Sequence, residues 1–273
     1  MCELLALSSS QPARLTFSLQ TLAARGSMAS STHDGWGVAF YQGDDVALFR
    51  EPAAAADSAL VRHLESQGPS TTLAVSHIRH ATRGDVSLAN TQPFVRELGG
   101  RTHVFAHNGD LPGIDRSAAF AIGAQRPVGQ TDSEQAFCAL LARLRPLWQV
   151  GGVPPLAARL SQLASFAADL RALGPANFLY ADGDALFAHG HRRLQPASHR
   201  AEPPGLWVVQ RHCTPGGSAP EPEAGGGVSI ARGAQTVLLL ASVPLTSEAW
   251  RPLAEGELMA VRDGEVLARQ VKA

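Results

Sequence analysis

The position of Cys2 makes it the residue of this sequence best placed to do chemistry. A side chain as small as cysteine permits removal of Met1, which leaves Cys2 at the N-terminus. One residue then carries a thiol, which is a good nucleophile once ionised. It also carries an α-amine titrating at about 7.7–8.0, able to accept a proton near neutral pH without a histidine. The plainer reading is a small apolar residue opening a strand, since free cysteines are commonly buried.

Four other groups invite a chemical reading beside a structural one. Asn108-Gly109 follows an apolar stretch and is by itself a type I′ hairpin signal. It also suits an oxyanion hole, with the Asn108 amide and the Gly109 N–H aimed at one spot. Arg79 ends an apolar run among His77, His80 and Thr82. An arginine so held can grip a carboxylate through two N–H groups, although arginine is usually a surface residue, and the same holds for Arg83. Asp132 falls in the first turn of an expected helix, where the dipole already favours an acid, or it pairs with a substrate ammonium. His77-x-x-His80 and His103-x3-His107 raise a metal site. Strand residues three apart point to opposite faces, so the first pair could not chelate unless the strand bends, and no metal is expected. There is no G-x-S-x-G elbow, Walker loop or dinucleotide fingerprint, and no cofactor is expected.

The elements that must position these groups follow from periodicity. Leu4–Leu7 reads as a buried strand, with a turn at Ser8–Pro12, and Leu15–Ala24 as a helix ending at Gly26. Residues 36–41 and 46–49 flank Gln42-Gly43-Asp44-Asp45 as a hairpin. A short helix over 57–65 and strands over 72–79 and 103–106 come next. Thr131-Asp132-Ser133-Glu134 matches a capping box that opens one helix, and leucines from 156 to 173 mark a second. Strands are expected at 177–181, 185–188, 206–210, 236–241, 258–262 and 266–269, with a mobile loop at 214–227 rich in Gly, Pro and Glu. Strands, then paired helices, then strands fit an α+β sandwich of two mainly antiparallel sheets with helices outside, in one domain over residues 1–273.

Composition narrows the functions. A net charge of -1 without a long basic run gives no footprint for nucleic acid or an anionic membrane. No apolar stretch approaches the roughly 20 residues of a membrane span, and no signal peptide is recognisable. The three cysteines, Cys2, Cys138 and Cys213, are too few and scattered for a disulfide framework, which suits a reducing, cytoplasmic setting.

The order of the motifs is more specific than any one of them. Cys2, Asp34-Gly35-Trp36-Gly37, His77-Ile78-Arg79-His80-Ala81-Thr82, Asn90-Thr91-Gln92-Pro93-Phe94, His107-Asn108-Gly109 and Thr131-Asp132-Ser133-Glu134 succeed one another. This series resembles the class II glutamine amidotransferases, and most nearly their stand-alone bacterial YafJ-like members. The resemblance implies the four-layer α-β-β-α sandwich of the N-terminal-nucleophile hydrolases. It implies Cys2 as nucleophile with its own α-amine as base, and Asn108 and Gly109 as the oxyanion hole. Arg79, assisted by backbone around His80 and Thr82, would hold the substrate α-carboxylate, and Asp132 its ammonium. The expected reaction is cleavage of the glutamine side-chain amide through a γ-glutamyl thioester, releasing ammonia and glutamate. Similar proteins usually carry histidine where this chain has Gln92, so the packing of that loop is open to change. The chain has no second domain to receive ammonia. An ammonia-accepting synthase subunit is therefore one expected partner, and hydrolysis of a γ-glutamyl amide of a metabolite or peptide is the alternative. From another class comes a non-catalytic glutamine-binding subunit, which an unprocessed Met1 would favour.

Overall fold

Most strands of this chain are apolar on both faces, so each must be covered twice. The computed structural model describes residues 2–15, 34–149, 151–213, 229–230 and 234–271. In chain order these form β1 (Glu3–Arg14), β2 (Gly35–Gln42), β3 (Asp45–Glu51), α1 (Ala59–Gln67), β4 (Ser70–Arg79), β5 (Phe94–Leu98) and β6 (Arg101–Gly109). Then come α2 (Asp132–Trp148), α3 (Leu156–Leu173), β7 (Ala176–Ala181), β8 (Leu186–Gly190), β9 (Arg193–Leu194) and β10 (Ala201–Glu202). The remainder is β11 (Trp207–Cys213), β12 (Ser229–Ile230), β13 (Gln235–Ala241), β14 (Arg251–Pro252), β15 (Glu257–Arg262) and β16 (Glu265–Gln270).

The first sheet has the order β14-β11-β13-β1-β4-β2-β3, with β12 also pairing β1, and the second the order β16-β15-β8-β7-β6-β5. Every pairing is antiparallel. Small and branched side chains fill the space between the sheets: Leu4, Ala6, Val75, Leu240, Ala106, Leu179 and Ala188 lie in one buried cluster. The alternate residues face outward. Leu5 and Leu7 meet Val61 and Leu64 of α1, while Phe105, Phe178, Tyr180 and Phe187 meet α2 and α3. The result is the expected α-β-β-α order of layers. Apart from Tyr41, the large buried aromatics stay on the helix side, where round helices leave deeper gaps than a facing sheet does.

The main local expectations hold with four changes, the first being that β5 (Phe94–Leu98), which pairs with β6, lies where no strand is expected. The turn at Ser8–Pro12 is instead a bulge within β1, where Ser8 pairs with Leu73 and Ala13 already with Thr71. Pro12 lacks an N–H, and an irregular stretch of ladder tolerates that. The capping box of α2 is half formed: Thr131 Oγ1 accepts from the Glu134 N–H at 3.2 Å. The Glu134 carboxylate reaches back past the cap to the N–H groups of Val128 and Gly129 and to Arg96. Asn108-Gly109 makes no hairpin and continues β6, paired with Asn177 and Ala176. The expected helix beyond Leu15 and the loop at 214–227 lie outside the described residues.

Buried histidines on the second sheet make a measurable signature. His103 is fully buried, with Nδ1 2.6 Å from the Tyr180 hydroxyl and Nε2 2.9 Å from the Leu98 carbonyl. The neutral ring satisfies both by accepting from Tyr180 and donating to Leu98. Burial lowers its pKa to about 4. The unfolded chain binds that proton below about 6.5, so this stability is complete above pH 6.5 and is lost as pH falls towards 4. Urea unfolding should show the side chain removing about 2 kcal/mol of stability between pH 7 and 5. His103→Gln should flatten that decline, and equal slopes for the two proteins would mean that the ring titrates normally.

Candidate active site

Strand register assembles one half of the site. Glu3 pairs with Ile78 and Gly35 with Arg79, so Cys2, Asp34 and His80 meet where β1, β2 and β4 come level. The Cys2 thiol donates to the His80 carbonyl at 3.5 Å and accepts from the His80 N–H at 3.3 Å. Asp34 fixes the next turn of chain by accepting from the Ala81 N–H at 2.7 Å. Burial pushes the thiol pKa up, and the Glu3 carboxylate adds to this. The His80 N–H and Arg79 act in the opposite direction.

The other half comes from the second sheet and α2. The Asn108 amide crosses between the sheets and donates to the Cys2 carbonyl at 2.6 Å. Its own carbonyl accepts from Asn177 Nδ2 at 3.0 Å, and Asn177 also holds the Arg192 carbonyl and the His191 N–H. Gly109 cannot be replaced without a clash, because a Cβ there would lie 1.8 Å from the Pro175 carbonyl oxygen. His107 Nδ1 meets Ser133 Oγ at 2.9 Å and so aligns the end of β6 with the start of α2. Asp132 accepts from the N–H groups of Leu111 and Ser133, and its carboxylate lies 4.0 Å from Arg83 Nε.

The loop between the halves is pinned from below. Arg79 is almost completely buried, and its guanidinium donates to the carbonyls of Arg83, Gly84 and Asp85. Arg83 in turn pairs with Asp110 at 2.9 Å. Gln92 holds the backbone of His107 at both its N–H and its carbonyl, so the histidine expected at this position is replaced by an amide that supplies both contacts. Gly37 lets this loop approach β2, since a Cβ there would lie 2.3 Å from the Gln92 carbonyl oxygen.

Cys2, Arg79, His80, Thr82, Asn108, Gly109 and Asp132 thus lie on or beside these converging ends, although with uneven contacts. Thr82 is exposed on the loop beyond His80. His77 is buried, where burial pushes its pKa down to about 3, whereas His80 is part-exposed beyond the end of β4. Among the described residues no three His, Cys, Asp or Glu side chains gather as metal ligands would. Sequence reasoning missed Asn177, whose only local signal is a polar residue opening an apolar strand after Gly174-Pro175. The chemical capacity of the arrangement is a thiol, amide and backbone N–H donors, a guanidinium and a carboxylate at one end of two stacked sheets.

Two antiparallel sheets between helical layers, with a cysteine at position 2 on the tip of an inner strand, define the N-terminal-nucleophile hydrolase fold. Two solved structures share it over just under half of their own length: the glutamine phosphoribosylpyrophosphate amidotransferase from B. subtilis is 14% identical, with a TM-score of 0.61 over 98% of this chain and 49% of that one, and one described as the allosteric regulatory enzyme of purine biosynthesis is 16% identical, with a TM-score of 0.62 over 98% and 48%. The family model for class II glutamine amidotransferases matches residues 1–273, and the chain belongs to that family. It is 36% identical to the protein named "Putative glutamine amidotransferase YafJ" of Escherichia coli (strain K12), over 94% of this chain and 96% of that protein. A solved structure described as a predicted glutamine amidotransferase from Pseudomonas aeruginosa PA01 is 34% identical, with a TM-score of 0.70 over 98% of this chain and all of that one.

Asn177 offers the sharpest test of this geometry. Asn177→Ala strands the Asn108 carbonyl, the Arg192 carbonyl and the His191 N–H without their partner. Urea unfolding should report a loss of about 2–4 kcal/mol, because buried unpaired groups carry their full desolvation cost. An unchanged unfolding midpoint would refute the contacts described for this amide.

Proposed function

We propose that the protein cleaves the side-chain amide of glutamine with Cys2 as nucleophile, in a reducing cytoplasmic setting, and works as a single domain. The observation that carries the reading is the bond from Asn108 to the Cys2 carbonyl, because it brings the oxyanion donor and the nucleophile together across two sheets. Burial raises the thiol pKa, so a standing thiolate is disfavoured and a local base is needed. The α-amine exposed by removal of Met1 answers that need through one water. The Cys2 sulfur attacks the γ-carbonyl of the substrate while its proton passes to the amine. The tetrahedral oxyanion is stabilised by the Asn108 side chain and the Gly109 N–H. Ammonia leaves with the proton held by the amine, and water hydrolyses the γ-glutamyl thioester to glutamate.

Arg79 receives the substrate α-carboxylate, with backbone around His80 and Thr82 assisting, and Asp132 receives the ammonium. Three carbonyl bonds already orient the guanidinium, leaving N–H groups on Nε and Nη1 for the substrate. The Asp132 carboxylate faces Arg83 at 4.0 Å, so an entering ammonium competes with a cation that is also engaged by Asp110. An ammonia-accepting synthase subunit is the partner this reaction calls for.

Glutamate release should be measured from glutamine and from several γ-glutamyl amides. Release from glutamine is expected, with Cys2→Ala inactive and Asn108→Ala slowed by roughly 10²–10³-fold. Release only from a bulkier amide would make the protein a dedicated hydrolase. A fully active Cys2→Ser protein would overturn the assignment. Intact mass retaining Met1, with no release from any substrate, would instead favour a glutamine-binding subunit.

A further inference from the structure

The ladder that holds the tip of β1 is incomplete on one side. Pairing with β13 stops at Leu5 and Ala241, while Cys2, Glu3 and Leu4 run on beyond it. Ser242 extends the contact: its hydroxyl accepts from the Leu4 N–H at 2.9 Å, and its N–H donates to the Leu4 carbonyl at 3.0 Å. The remaining anchor is ionic. Arg193 donates to the Glu3 carboxylate at 2.7 Å and to the Ser242 carbonyl at 2.7 Å, and both charged side chains are almost completely buried.

Stability alone does not account for this pair. A buried ion pair is commonly no more stabilising than well-packed apolar residues of similar volume, because two charges must be stripped of water. Its place in the chain is what distinguishes it, since Glu3 adjoins the nucleophile. We propose that Glu3 and Arg193 are positioning residues for Cys2, their ion pair locking the strand tip within reach of Asn108 and setting the charge beside the thiol. The proposal rests on the reading of Cys2 as the nucleophile, and it adds two residues to which no role is otherwise assigned. Glu3 pushes the thiol pKa up, while the His80 N–H and Arg79 of β4 pull it down. Farther round the thiol are His80 and Asp34, 3.9 Å from one another, and Arg193 faces Glu3 from β9. Burial raises the pKa of Glu3 itself to about 7, with Arg193 opposing.

The test compares wild type, Glu3→Gln and the double variant Glu3→Met with Arg193→Met in two measurements. The first is the pH dependence of Cys2 alkylation by iodoacetamide, read from the mass of the N-terminal peptide. The second is kcat and KM for glutamate release. Loss of the carboxylate should move the alkylation midpoint to lower pH in both variants. The Arg79 and Asp132 contacts should keep KM near wild type, while kcat falls about tenfold or more through displacement of the nucleophile. Glu3→Gln leaves Arg193 buried without a counter-ion and is the variant at risk of not folding, whereas the double variant removes both charges. A folded double variant with the wild-type alkylation midpoint and kcat would overturn the proposal and leave the pair as scaffold. If wild type releases no glutamate, the catalytic reading fails, and the alkylation midpoint still decides whether the pair acts on the thiol.

Discussion

The hydrogen bond between the Asn108 side chain and the Cys2 carbonyl is the constraint on which the site depends. It joins the tip of β1 in the first sheet to the end of β6 in the second, and neither strand alone could hold the geometry. Everything around it fixes one partner or the other. Ser242 and Arg193 hold the strand tip, while Asn177 holds the Asn108 backbone. Gln92 fixes His107, the residue before Asn108, by both backbone groups. The site is therefore built by backbone capture, in which side-chain amides and carboxylates saturate peptide groups that the ladders leave open.

That logic explains what could be read from the sequence. The strands were legible because their apolar alternation is dense and local, and α2 and α3 because their leucines recur at helical spacing. The candidate residues were legible through their order along the chain rather than through any single pattern. Asn108-Gly109 is the clearest case of a local signal overruled. Its turn propensity is real, but the register with Asn177 and Ala176 keeps both residues in the ladder. The bulge at Ser8–Pro12 was misread for a related reason, since polar residues and a proline mark a turn unless flanking strands hold the chain extended.

What stayed hidden depends on partners far away in sequence. Asn177 and Arg193 are ordinary residues until folding sets them against Asn108 and Glu3, 69 and 190 positions away. Glu134 was legible as a cap, yet it works mainly as an anchor for the loop at 128–129. Local sequence encodes which element a polar residue occupies. Only the assembled fold encodes which open backbone group it will meet.

The placement of β1 between β4 and β13 has a consequence for biosynthesis. The strand that carries Cys2 leaves the ribosome before any other described strand, but one of its two neighbours is β13, whose Ala241 pairs with Leu5. Pairings so distant along the chain close late, because a long loop must be ordered before any contact compensates for it. A nascent chain that ends before β13 leaves β1 with an open edge and lacks the Ser242 that grips Leu4. The thiol thus emerges early but is aligned late, and a chain interrupted part-way carries a cysteine on a strand tip that nothing yet holds.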